Sequence, residues 1–219
     1  MKRFFITFII LSFISKNVYA ESFDIGKINS IKQEVFEQQR LEQIRKENLI
    51  KQEKERQFII AQQAKLKTFK NSYFFQSNKK VLIEAVFHEA RGETKTGMTF
   101  VADVIINRTK SKSFPRTISG VVKNCEFSYF CDKLSNSVPK NAPEYYSVAS
   151  VAEKVLIDRL FYKKSPNTKA LFYHTKQMDI SKNRFFGKEF PRKFANCYTN
   201  RVVGSHVFKE PTCSRLTFL

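Results

Sequence analysis

The 219-residue sequence predicts a small, mainly helical α+β domain preceded by one long polar helix. Three patterns carry that expectation. Between residues 79 and 108 apolar side chains recur at helical spacing in two runs joined at Gly92. The segments KALFYHT (169–175) and RVVGSHVF (201–208) are short, aromatic and β-branched, and so read as strands. Residues 28–69 hold neither Pro nor Gly, and a thin apolar stripe drifts along them (Ile28, Ile31, Val35, Leu41, Ile44, then Phe58 to Ile60).

In chain order, residues 1–20 combine a basic start, an apolar run from Phe4 to Ile14 and a small residue, Ala20, ahead of Glu21. Those are the parts of a secretory signal peptide, and the run is too short to span a bilayer comfortably. The expectation is export to the periplasm or cell envelope, with no stable membrane span after cleavage. Residues 21–78 form a helical or coiled-coil-like segment. Its stripe is too narrow to bury enough area to fold alone, so it reads as a spacer or as a self-association element through residues 28–69.

The compact domain is expected over 79–219. Met98, Val101, Ala102 and Ile105 give its second helix a core face, and Pro115 stops any helix in the following loop. Thr117 suits the N-cap of a short helix. The cysteine-flanked CEFSYFCD reads as an aromatic loop. Pro143 opens a helix running to about Tyr162, with Val148, Val151, Ala152 and Val155 inward.

A formal charge of +19 favours a polyanionic partner. The first twenty residues carry three basic groups and no acid, and residues 21–70 carry 11 basic and 8 acidic groups, which leaves most of the excess on the compact domain. No nucleic-acid-binding signature is present and export argues against nucleic acid, so an anionic envelope polymer is the expected partner. Export also makes pairing of the four cysteines reasonable, and proximity in sequence suggests Cys125–Cys131 and Cys197–Cys213. A metal site from these thiols with His174 or His206 lacks any CxxC spacing. His88-Glu89 opens an H-E-x-x-H pattern, but Gly92 stands where the second histidine is needed. No metal or cofactor is expected.

The candidate chemistry centres on Glu89. At 100° per residue, Leu82, Ala85 and Val86 lie within about 60° of it on the first helix, so the carboxyl points toward the core. Burial raises a carboxyl pKa, and an acid protonated near neutrality is what glycoside cleavage needs to protonate a leaving oxygen. A local cap or ion pair is the alternative role.

EARGE at 89–93, Gly97, VADVIINR at 101–108, FP at 114–115, GVV at 120–122, EFS at 126–128, YH at 173–174 and GSHVF at 204–208 resemble, in order, the cell wall hydrolase family typified by the SleB spore-cortex-lytic enzymes. The resemblance covers about residues 80–209 and implies a lysozyme-like catalytic domain cleaving the β-1,4 bond between N-acetylmuramic acid and N-acetylglucosamine of peptidoglycan. It puts the catalytic acid on Glu89 and implies lytic transglycosylase chemistry giving 1,6-anhydro ends.

Two positions depart from the family pattern. Glu126 replaces the usual Gln, so a second carboxylate could activate water. The chain has no Trp, and Phe185, Phe186 or Phe194 would have to supply a sugar-stacking surface. Further substrate-binding candidates are Arg91, Glu93, Ser128, Tyr129 and His174. Arg91 could hold a stem-peptide carboxylate or pair with Glu93, and Glu93 could instead cap the second helix. His174 and His206 read first as structural histidines on strands, and Asn107 and Arg108 would brace the fold. The competing functions are a zinc-dependent N-acetylmuramoyl-L-alanine amidase and a non-catalytic peptidoglycan-binding envelope protein.

Overall fold

The computed structural model describes residues 25–123, 127–131, 138–178 and 197–213. The proposed signal segment, Cys125, Glu126, Phe185, Phe186 and Phe194 lie outside these residues, as do the side chains of Ser128 and Cys131. The chain divides into two units, Met1–Gln62 and Gln63–Leu219.

Helix α1 (Ile25–Asn71) buries none of its residues. Over the first unit it is stabilised locally, by i,i+4 contacts such as Lys46–Glu42 at 2.7 Å and Gln57–Glu53 at 2.7 Å. Such pairs contribute only about 0.2–0.5 kcal/mol each.

In the second unit, Ser72 ends one helix and caps the next. Its hydroxyl accepts from the Phe75 amide (3.2 Å) at the start of α2 (Tyr73–Ala90), which begins six residues ahead of the expected Lys79. Phe69 packs on Phe75 and Phe161, while Lys70 and Lys79 both reach Glu153 at 2.5 Å. Helix α3 (Lys95–Lys110) is capped by the Thr94 hydroxyl and buries Met98, Val101, Ala102 and Ile105 as the spacing predicts. The short α4 (Ile118–Val121) is capped by Thr117, and α5 (Ser128–Cys131) turns part of the expected aromatic loop into a helical turn. Helix α6 (Pro143–Leu156) starts on Pro143 and buries Val148, Val151, Ala152 and Val155.

The last turn expected of α6 is instead a π turn, Ile157–Phe161. It holds Arg159, which is buried and forks onto the fully buried Asp103 of α3 (Nε–Oδ1 2.6 Å, Nη2–Oδ2 2.9 Å). The Asn167 backbone and side-chain amides also donate to Asp103 Oδ2, at 2.8 and 3.0 Å. A buried pair of this kind is satisfied only when every polar edge has a partner, and four donors meet this carboxylate.

The sheet corrects the strand expectations. Residues 201–208 are not one strand but a hairpin, with β2 (Tyr198–Val203) and β3 (His206–Pro211) joined at Gly204-Ser205. Gly204 has φ +59°, as the first central position of a type II′ turn requires. Strand β1 (Tyr173–Thr175) is shorter than the expected 169–175 and adds antiparallel to β3, giving the order β1-β3-β2. Its upstream carbonyls are already taken: Asn107 donates to Thr168 and Ala170 (2.8 and 3.2 Å), and Arg108 Nε donates to Leu171 (2.8 Å). Asn107 and Arg108 thus brace the fold, tying the sheet to the end of α3. The Cys197–Cys213 disulfide closes the open end of the hairpin, where the Thr212 amide also donates to the Cys197 carbonyl (2.7 Å).

Asp103→Ala leaves the Arg159 guanidinium buried without its carboxylate, a change worth about 3–5 kcal/mol. Chemical denaturation of the variant should show a loss of that size, whereas alanine at the exposed Glu53 should leave the midpoint unchanged.

Candidate active site

Glu89 sits in the last turn of α2, on the face that also carries the fully buried Leu82, Ala85 and Val86. Its carboxyl is half-buried. Burial pushes it above the ordinary carboxylate range, while a hydrogen bond from Tyr173 and the attraction of Arg108 restrain that rise without cancelling it. The negative end of the helix dipole acts in the same sense as burial, disfavouring a charged carboxylate at a helix C-terminus.

Tyr173 was not among the residues singled out from sequence, and it is the side chain that orients the acid. Its hydroxyl donates to Glu89 Oε2 at 3.0 Å. Burial first, and then the neighbouring Glu89, hold the phenol well above its usual range, so it remains a donor. Its ring packs against Phe208 and His206. Arg108 is held among the rings of Phe114, Phe127 and Phe172, 5.0–5.9 Å from each centroid, which fixes its charge near the acid.

Glu93 does not cap α3 as one expectation had it; Thr94 does. The Glu93 carboxylate accepts from the Ser205 amide (3.1 and 3.2 Å) and the Ser205 hydroxyl, with His206 Nδ1 3.6 Å away. Burial acts to raise its pKa, but the Ser205 donors, His206 and Lys176 outweigh this and hold the group below the usual range. It is an ionised latch on the β2–β3 turn. Two glycines make room for it: a Cβ on Gly97 would lie 3.0 Å from Glu93 Cβ, and one on Gly204 would lie 1.7 Å from Oε2. His206 is held below its normal pKa chiefly by burial, although Glu93 opposes the shift.

The remaining candidates separate. Arg91 is exposed and lies over the Phe87 ring at 5.1 Å, with Glu93 engaged elsewhere. Tyr129 is only 3% exposed and stacks on His88 (4.5 Å between centroids, 11° between planes), so it is a packed residue and not an open groove wall. Burial, with Glu84 and Glu89 nearby, raises its pKa strongly. His174 is buried on β1, and its Nδ1 donates to the Thr175 carbonyl at 2.8 Å, a structural setting. Among the described residues no three His, Cys, Asp or Glu side chains cluster as metal ligands. The contact of Ser205 with Glu93 was not legible in the sequence, since it spans 112 positions.

Chemically, a carboxyl group whose pKa is raised by burial and which accepts a hydrogen bond from a tyrosine is suited to general-acid work. Residues 92–209, just over half of the chain, match the family profile described as Cell Wall Hydrolase, and the chain belongs to that family. The matched span begins three residues past Glu89. A 49-residue stretch is 45% identical to the spore cortex-lytic enzyme of Bacillus cereus, covering 22% of this chain and 19% of that protein. The Bacillus subtilis spore cortex-lytic enzyme is 41% identical over 49 residues, covering 22% of this chain and 16% of that protein. The chain therefore matches about a fifth of the length of these relatives. Among solved structures, the catalytic domain of Bacillus cereus SleB aligns at a TM-score of 0.45 with 26% identity, covering 64% of this chain and 94% of that one. The catalytic domain of the germination-specific lytic transglycosylase SleB from Bacillus anthracis aligns at 0.45 with 27% identity, covering 64% and 98%.

Two expected outcomes follow from the geometry. Glu89 must be protonated to act as an acid, so activity is lost as pH rises through its pKa. Tyr173→Phe removes an interaction that lowers that pKa, and the alkaline limb of the activity–pH profile should move upward. Gly204→Ala forces a side chain into a left-handed backbone and onto Glu93, and should cost at least about 1–3 kcal/mol, read as a lowered melting temperature.

Proposed function

We propose that this protein cleaves the glycan strands of peptidoglycan at the bond between N-acetylmuramic acid and N-acetylglucosamine, with Glu89 as the general acid. The observation that carries the proposal is the Glu89 carboxyl itself, raised in pKa by burial and hydrogen-bonded by Tyr173. Membership of the cell wall hydrolase family supports the substrate class, and the positive charge of the chain suits an anionic polymer.

The reaction is a lytic transglycosylation. Glu89 gives its proton to the glycosidic oxygen as the bond from that oxygen to the muramyl C1 breaks. The muramyl 6-hydroxyl oxygen then bonds to C1, and its proton passes to the Glu89 carboxylate, which restores the acid. Sugar, leaving group and proton all balance without a water or a second carboxylate. Glu93 is the described neighbour in the same motif, and its engagement with Ser205 gives it a structural task. The same reading places the protein in the cell envelope, an oxidising location that the Cys197–Cys213 disulfide suits. Residues 1–20 would act as the export signal, 21–78 as a spacer and 79–219 as the catalytic domain. No helix among the described residues is long and apolar enough to cross a membrane.

Glu89→Gln preserves the shape of the side chain and an oxygen for the Tyr173 hydroxyl. Digestion of purified peptidoglycan should fall by about 10²- to 10⁴-fold while the melting temperature holds. Mass analysis of the wild-type products should show 1,6-anhydro ends. Reducing ends would instead mean hydrolysis, free stem peptides an amidase, and undiminished lysis by the variant would remove Glu89 from the chemistry.

A further inference from the structure

A second feature of α2 lies one flank away from Glu89. A cavity of about 480 Å³ opens along the helix, and its wall includes Ile83, Glu84, Lys80, Val138, Lys140 and Tyr145. Glu84 and Glu89 are separated by about 7.5 Å along the axis and about 140° around it, from helix geometry. Glu89 does not line the cavity, which opens on another face of the same helix.

Its lining is amphoteric. Lys80 and Lys140 are exposed ammonium groups, whereas Glu84 is half-buried. Burial raises the Glu84 pKa and the charge of Lys80, one helical turn away on the same wall, opposes the rise. Lys79, on the same wall, is already committed to Glu153 at 2.5 Å. Ile83, Val138 and Tyr145 supply apolar surface between the charges. A neutral sugar has no use for two lysines and a facing carboxylate. A short peptide that carries carboxylates, amide N–H groups and an amine matches every part of this lining. Tyr129 adds a second observation: its hydroxyl is buried, has no hydrogen-bond partner among the described residues and lies in the field of both Glu84 and Glu89.

We propose that this cavity is a binding site for the anionic peptide branch of the polymer, with Lys80 and Lys140 holding its carboxylates and Glu84 its amine or amide nitrogen. The assignment rests on the glycan-cleaving reading only for its biological meaning; the peptide chemistry follows from the lining. Occupying the cavity would anchor a peptide-bearing strand beside Glu89, so that substituted strands are preferred over bare ones.

The test is calorimetric titration of the full chain with a free stem tetrapeptide that bears two carboxylates and an amine, at physiological salt. Wild type and Glu89→Gln should bind alike and saturably. Lys80→Glu combined with Lys140→Glu should weaken binding at least tenfold, whereas Lys112→Glu with Lys169→Glu, which makes the same change in net charge at exposed positions elsewhere, should not. Equal weakening by both pairs would reduce the effect to bulk charge, and an absence of saturable binding by the wild type would leave the cavity without this ligand; either result overturns the assignment. A protein that binds the peptide yet cuts no glycan would overturn the proposed function and leave the site standing. In digestion assays the Lys80/Lys140 variant should raise KM on peptide-bearing peptidoglycan and leave KM on strands stripped of peptide unchanged.

Discussion

The hydrogen bond from Tyr173 to Glu89 is the point at which the helices and the sheet of the second unit serve one chemistry. Glu89 belongs to α2 and Tyr173 to β1, 84 positions later, so neither element has a site alone. The bond works against a larger effect: burial favours the neutral acid, and the tyrosine restrains that preference while fixing the direction of the carboxyl group. An acid left to burial alone would be protonated but unaimed. One held by donors alone, as Glu93 is, would be ionised and useless as a proton source.

Most of the polar structure around the site keeps β1 where Tyr173 needs it. Asn107 and Arg108, at the end of α3, take the carbonyls of Thr168, Ala170 and Leu171, just upstream of the strand. Glu93 latches the hairpin turn through Ser205, and β3 then pairs with β1 so that Tyr173 faces Phe208. Asp103, Arg159 and Asn167 fix the loop that leads into the strand. Each contact joins a residue of the EARGE-to-NR stretch, or its immediate continuation, to the C-terminal third of the chain. The density of polar residues in an otherwise apolar pair of helices has this physical reason: they are the fasteners between layers.

The two carboxylates of the EARGE stretch illustrate how environment separates identical chemistry. Glu89 meets one hydroxyl and aliphatic neighbours, and its pKa rises. Glu93 meets an amide, a hydroxyl and nearby cationic or polarisable groups, and its pKa falls. Four positions apart in sequence, the two carboxyl groups are shifted in opposite directions. Gly97 and Gly204 belong to the second arrangement, because a side chain at either would crowd the Glu93 carboxylate.

Periodicity determined the two helices of residues 79–108, the inward face of α6 and the apolar setting of Glu89, and residue type gave the Thr117 cap; the cap of α3 was expected of Glu93 and falls to Thr94. These depend on neighbours within one or two turns, which a sequence displays directly. Proximity in the chain also suggested the Cys197–Cys213 pairing. What only the tertiary structure decided was long-range: that 201–208 folds back as a hairpin, that the carbonyls of Thr168, Ala170 and Leu171 go to side chains of α3, that α6 widens into a π turn at Arg159, and that Tyr173 donates to Glu89. Such choices turn on which distant donor reaches which acceptor. That competition is settled by packing in three dimensions and leaves no periodic trace in the chain.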